Sequence, residues 1–97
     1  MKRGIIGREA VKMPGTGTIH VRFFARYAEF VGREEAVLAV ALPATVGDVV
    51  RRVREDLPGG RGIPERPLAA LNLTHVRLDA SVQDGDEVAF LPPLAGG

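Results

Sequence analysis

The sequence of 97 residues contains no cysteine. This absence excludes disulfides, a thiolate nucleophile, and the zinc and iron–sulfur sites that depend on cysteine ligands. Any sulfur chemistry in which the chain takes part must therefore use sulfur supplied from elsewhere.

The sequence also lacks an excess of charge of either sign. Thirteen basic and twelve acidic residues give a formal net charge of +1, whereas nucleic-acid-binding domains are usually strongly basic. Arg51, Arg52 and Arg54 follow a helical pattern beside Glu55 and Asp56, which is typical of a solvated helix face. We predict no nucleic-acid partner.

Long hydrophobic runs are missing as well. No apolar segment approaches the roughly 20 residues of a membrane helix, and the N-terminus has no apolar stretch of signal-peptide length. We expect a cytoplasmic protein with no membrane partner, folded as one domain over residues 18–97. Residues 1–17 have no hydrophobic period and predict a flexible extension, and the sequence leaves open whether the chain starts at Met1 or Met13.

The first half of the predicted domain has two strand patterns. Ile19, Val21 and Phe23 alternate with polar or exposed positions, which is the period of a half-buried strand. A short helix that ends at Gly32 follows, and the segment EEAVLAVAL then returns to period two.

The clearest helix comes next. Its apolar side chains share one face at helical spacing. They are Val46, Val49, Val50, Val53 and Leu57. Thr45 is placed to cap the first turn, and the negative charge of Asp48 suits the helix N-terminus. Residues 58–67 are rich in proline and glycine and predict a loop, whose length suggests that it is itself a tolerated insertion.

The last third predicts two short strands, around Leu71 and around residues 76–78, and then a final strand in which Val88 and Phe90 share a face. Gly85 can take a positive φ in a tight turn before that strand, and we interpret the aspartates on either side of it as turn formers. The patterns together indicate an α+β domain.

The sequence ends in LPPLAGG, and this segment has a chemical interpretation. Two glycines form the narrowest backbone available, and no side chain shields the last carboxyl group. Adenylation by a partner would make that carboxylate an electrophile. Attack by sulfur would leave a thiocarboxylate on Gly97, and attack by a lysine amine would leave an isopeptide bond. A frayed, inert terminus is the alternative, although Pro92 and Pro93 stiffen the exit from the strand.

Three segments, VRFFARYAEFVG, LAALN and DGDEVAFLPPLAGG, resemble in their order the MoaD/ThiS family of ubiquitin-like sulfur carriers, and most closely its molybdopterin synthase branch. The resemblance covers Thr18 to Gly97. It implies a β-grasp fold, in which one main helix covers a mixed sheet, the order is ββαββ with a short extra helix after strand one, and the first and last strands are neighbours at the centre.

The resemblance also implies a function. An E1-like adenylyltransferase would use ATP and magnesium to activate Gly97, and a sulfur donor protein would supply the sulfur. The resulting thiocarboxylate would enter the large subunit of molybdopterin synthase, in a heterotetramer, and donate sulfur for the molybdopterin dithiolene in molybdenum cofactor biosynthesis. Gly96 would permit threading, the catalytic residues would lie on the large subunit, and the chain itself would bind neither cofactor nor metal.

The residues before the last two glycines are the expected docking surface for that partner. They are Phe90, Leu91, Pro92, Pro93, Leu94 and Ala95. Phe90 has an alternative position in the core, because it shares a strand face with Val88. Phe24 and Arg22 are further contact candidates, whereas His20 and His75 have no neighbours at metal-ligand spacing and are interpreted as surface residues.

Two other functions remain open at this stage. The chain could be a ubiquitin-like protein modifier, or a sulfur carrier for tRNA thiolation or thiamine synthesis. It could also be a plain β-grasp binding module whose tail takes no part in its activity.

Overall fold

The computed structural model describes residues 15–93. No helix in this range is long and apolar enough to cross a membrane. The elements, in chain order, are β1 (Thr16–Phe23), α1 (Arg26–Val31), β2 (Glu35–Ala41), β3 (Ala44–Thr45), α2 (Val46–Asp56), a 3₁₀ turn (Gly60–Gly62), β4 (Leu68–Leu71), β5 (Thr74–Val76), β6 (Ser81–Val82) and β7 (Glu87–Leu91). β1 thus begins two residues before the predicted start at Thr18, and residues 1–14 of the predicted extension lie outside the described range.

Five strands form one mixed sheet in the order β2-β1-β7-β4-β5. β1 and β7, the first and last strands, pair in parallel, while the other neighbours are antiparallel. The α+β, β-grasp arrangement that the resemblance implied is therefore confirmed. β3 and β6 form a separate two-stranded ladder that the sequence patterns did not predict, because each contains only two residues and carries no period.

The core lies between the sheet and α2. The predicted faces of β1 and α2 are both buried, including Val21, Phe23, Val49 and Val53. Leu57, at the end of the helical stripe, is only partly buried and packs against this core. Burial of such stripes is the main favourable term in folding a domain of this size.

A capping box starts α2. The Thr45 hydroxyl accepts a hydrogen bond from the backbone N–H of Asp48 at 3.2 Å, and the Asp48 carboxylate accepts one from the backbone N–H of Thr45 at 2.9 Å. Both partners satisfy amides that the first turn leaves without an intrahelical acceptor. The predicted cap at Thr45 is confirmed.

The segment that follows α2 is a loop, as predicted, but residues 59–63 within it are packed closely against the domain. The Ile63 side chain is fully buried. A Cβ on Gly59, which has a φ of +78°, would lie 1.8 Å from the Phe30 carbonyl oxygen, and one on Gly60 would lie 2.1 Å from the Val53 carbonyl oxygen. The glycines are therefore needed for close backbone approach, which composition alone could not distinguish from flexibility.

The turn between β4 and β5 uses two non-glycine residues with positive φ, Asn72 at 50° and Leu73 at 74°. The Asn72 amide fixes this turn, because its oxygen accepts from the backbone N–H of Glu87 at 2.9 Å and its nitrogen donates to the Asp86 carboxylate at 3.0 Å. Leu73 is 86% exposed, so no packing offsets its backbone strain.

We predict that Leu73→Gly stabilises the protein. Glycine removes the left-handed penalty of about 1–2 kcal/mol but adds about 0.5–1 kcal/mol of unfolded-state entropy, so the expected net gain is about 0.5–1 kcal/mol. Urea unfolding measures the change. Leu73→Ala is the matched control, because it removes the side chain and keeps the strain; equal stability of the two variants would contradict the explanation.

We predict that acid removes the contribution of Asp48 to the stability of the folded protein. Hydrogen bonding from the Thr45 backbone, followed by that from Arg51, holds the pKa of the Asp48 carboxyl below its ordinary value of 3.8. A depressed folded-state pKa gives stability that is complete at neutral pH and is lost as the pH falls through that pKa. Asp48→Asn should therefore destabilise the protein at neutral pH and progressively less in acid, and urea unfolding across this range that shows a constant difference would contradict the assignment.

Candidate functional site

The central strand β7 ends where the predicted tail begins. Its inward side chains, Val88 and Phe90, are fully buried, and the Phe90 ring packs on Phe23 with ring centroids 6.1 Å apart. Phe90 therefore occupies the core position that the sequence left as its alternative. The prediction that Phe90 contacts a partner is corrected, because a side chain with 0% exposure offers no surface to a partner.

The opposite face of the sheet carries an apolar groove of about 610 Å³ at this end of β7. It is lined by Phe24, Ala25, Arg26, Leu68, His75, Leu91, Pro92 and Pro93. Leu68 lies directly opposite Leu91 in the antiparallel β4–β7 register. Leu68 and Phe24 are 52% and 38% exposed, and such a cluster of exposed large apolar side chains is typical of an interaction site.

The groove contains part of the predicted docking surface and adds to it. Leu91, Pro92 and Pro93 line it, as does the further candidate Phe24. Leu94, Ala95, Gly96 and Gly97 lie outside the described residues. Leu68 and Arg26 were missed, because a contribution from β4 depends on strand register, which the period of a four-residue strand does not determine.

One row of residues crosses the same face just below the groove. Arg22 lies opposite Ala89, Ala89 opposite Ala70, and Ala70 opposite His75. The Arg22 guanidinium stacks over the Phe24 ring, 5.3 Å from its centroid, and lies 3.9 Å from the Glu87 carboxylate. The two central alanines are almost fully buried, so the row has small side chains in the middle and larger polar side chains, Arg22 and His75, at its ends.

Other polar residues have structural roles. The Asp84 carboxylate accepts from the backbone N–H of Thr18 at 2.7 Å, and the Asp86 carboxylate accepts from that of Gln83 at 2.7 Å. Gly85 between them has a φ of +90°. These contacts confirm the interpretation of both aspartates as turn formers. Within residues 15–93, no three histidine, aspartate or glutamate side chains are grouped so as to hold a metal ion.

Comparison with known families decides the classification. The ThiS family model matches residues 21–97. The chain belongs to the ThiS family. It is a sulfur carrier of the ThiS/MoaD type, with a ubiquitin-like β-grasp domain.

Two kinds of relative are found within this family. The chain is 35% identical over 80 residues to the molybdopterin synthase sulfur carrier subunit of Escherichia coli, covering 81% of the chain and 99% of that protein. It is 36% identical over 90 residues to small archaeal modifier protein 3 of Haloferax volcanii, covering 81% and 98%. The closeness of the two identities leaves the pathway undecided between these relatives.

Solved structures agree with the fold. SAMP1 from Haloferax volcanii superposes with a TM-score of 0.72 at 27% identity, covering 84% of the chain and 100% of that structure. A chain from the protein–protein complex of subunits 1 and 2 of the molybdopterin-converting factor of Helicobacter pylori superposes with a TM-score of 0.57 at 25% identity, covering 82% and 99%. The second structure is an assembly of two different subunits.

We predict that shortening a side chain to alanine affects stability differently on the two faces of the sheet. We expect Phe90→Ala to cost about 3–5 kcal/mol of unfolding free energy, because it empties a fully buried site. Leu68→Ala, on the groove side, should change stability by less than about 0.5 kcal/mol. Chemical denaturation measures both, and a small loss for Phe90→Ala would contradict the core assignment.

Proposed function

We propose that this chain is the sulfur carrier subunit of molybdopterin synthase, and that Gly97, the last residue of the sequence, carries the transferred sulfur as a thiocarboxylate. The observation that carries the proposal is the end of the central strand: β7 ends at Leu91 beside an apolar groove, which Pro92 and Pro93 also line. In the sequence, the proposed reactive tail follows directly after these groove residues.

The chemistry of the tail needs no catalytic group from this chain. In the proposed reaction, the Gly97 carboxylate attacks the α-phosphorus of ATP on an E1-like adenylyltransferase, with magnesium, and pyrophosphate leaves. Sulfur supplied by a donor protein as hydrosulfide then attacks the acyl carbon, the bond from that carbon to the AMP oxygen breaks, AMP leaves, and loss of the S–H proton gives the thiocarboxylate. The acyl-adenylate makes this substitution accessible to a carboxyl group that is otherwise a poor electrophile. Gly96 and Gly97 present the least steric bulk to each partner active site.

The groove is the proposed docking surface for the large synthase subunit. Leu91 and Leu68 form a cross-strand apolar pair, with Phe24 beside them. A contiguous cluster of exposed apolar side chains marks an interaction site, because a partner that covers it removes apolar surface from water. Their attachment to the centre of the sheet holds them in place, so docking would not require the sheet to rearrange. The Helicobacter pylori complex of two different subunits supports this kind of assembly.

Deleting Gly96 and Gly97 should abolish sulfur transfer without changing the fold. We expect no formation of molybdopterin from its pyranopterin precursor when the truncated chain is combined with the cognate large subunit, activating enzyme and sulfur donor. The full-length chain in the same mixture should support it. The thermal midpoint should be unchanged, because the deleted residues lie beyond the last strand, and retained molybdopterin formation by the truncated chain would contradict the proposal.

The similarity to small archaeal modifier protein 3 supports a second candidate function, that of a protein modifier. The same activated carboxyl group would then be attacked by a lysine amine, with loss of AMP and formation of an isopeptide bond. Mass spectrometry of tryptic digests from the native cells separates the two functions. Remnants of the tail on lysines of other proteins, together with no molybdopterin formation in the reconstituted mixture, would favour the modifier.

A further inference from the structure

The groove has charge of only one sign among the described residues that line it. The charge is that of Arg26, at the start of α1, and His75, on the outer strand β5, adds a polar hydrogen-bonding group on the other side of the apolar centre; both side chains are exposed. None of the described lining residues is acidic. The whole chain is nearly neutral, so this local imbalance does not follow from composition.

The neighbouring row, which contains Arg22, adds further positive charge at the edge of the groove. Arg22 lies over the Phe24 wall of the groove, and its contact with Glu87 is long, at 3.9 Å. A long pair between half-exposed side chains neutralises an arginine only weakly. Arg26 and His75 line the apolar floor and Arg22 stacks on Phe24 at its edge, and we refer to these three residues as the basic rim.

From the basic rim we infer the chemistry of the partner surface: the segment of the large synthase subunit that fills the groove carries an apolar side chain flanked by carboxylates. One carboxylate faces Arg26 and Arg22, and another faces His75. The inference rests on the proposed function, because it takes the large subunit as the occupant of the groove. It goes beyond that function in assigning to the rim the selection of an acidic partner.

The apolar floor and the basic rim should affect different rate constants of binding, because one is central and the other is at the edge. The apolar floor, Phe24, Leu68 and Leu91, supplies buried area and governs the dissociation rate. The rim is exposed, and exposed charges at the edge of an interface act mainly on the association rate and on its salt dependence. The rim would thus distinguish an acidic surface from another apolar surface of the same shape, which the floor alone cannot do.

Charge reversal tests the inference directly. Association of the full-length chain with the cognate large subunit is measured by surface plasmon resonance at several NaCl concentrations, for the wild type, Arg26→Glu, His75→Glu and the double variant. Arg61→Glu is the matched control, because Arg61 is also exposed but lies in the 3₁₀ turn and does not line the groove. Thermal midpoints confirm that each variant is folded.

We expect the double variant to associate about tenfold more slowly at low salt, with a weaker salt dependence and a nearly unchanged dissociation rate. Arg61→Glu should behave like the wild type. Tight binding that the rim variants leave unchanged, or that Arg61→Glu reduces equally, would overturn the inference and leave the proposed function intact. Failure of the wild-type chain to bind the large subunit at all would overturn the proposed function and the inference with it.

Discussion

The parallel pairing of β1 with β7 is the constraint on which the rest of the structure depends. It places the first and last strands side by side at the centre of the sheet, with Phe23 directly opposite Phe90. Parallel strands need a long crossover connection, and here that connection contains α2, which covers the buried face. The last strand is thus held on both sides, by β1 and by β4, and its end has a fixed position and direction.

This fixed end explains why one short strand can serve the core and the surface at once. Alternate side chains of β7 point to opposite faces, so Val88 and Phe90 anchor the strand while Leu91 lines the groove. The reactive tail of the proposed function would then begin from a rigid base. In the proposed function, the large subunit binds that base, and the two glycines reach the active site of the large subunit. Binding and chemistry then depend on different residues.

Much of the fold could be predicted from the sequence because its long elements are strongly periodic. The faces of β1 and α2 and the cap at Thr45 follow from local spacing. The position of the groove could not be predicted, since Leu68 meets Leu91 only through the β4–β7 register. The packing role of Gly59 and Gly60 could not be predicted either, because a glycine needed for a close backbone contact looks the same in the sequence as a glycine in a flexible loop. Only the structure could decide whether the Phe90 side chain lies in the core or on the docking surface.

The central claim is that Gly97 is the reacting group, and the most direct test is the intact mass of the protein isolated from its native cells during active cofactor synthesis. The account predicts a population heavier by the difference between one sulfur and one oxygen atom, located on Gly97 by tandem fragmentation and absent from cells that lack the activating enzyme. An unmodified Gly97 throughout, in cells that are making the cofactor, would contradict it.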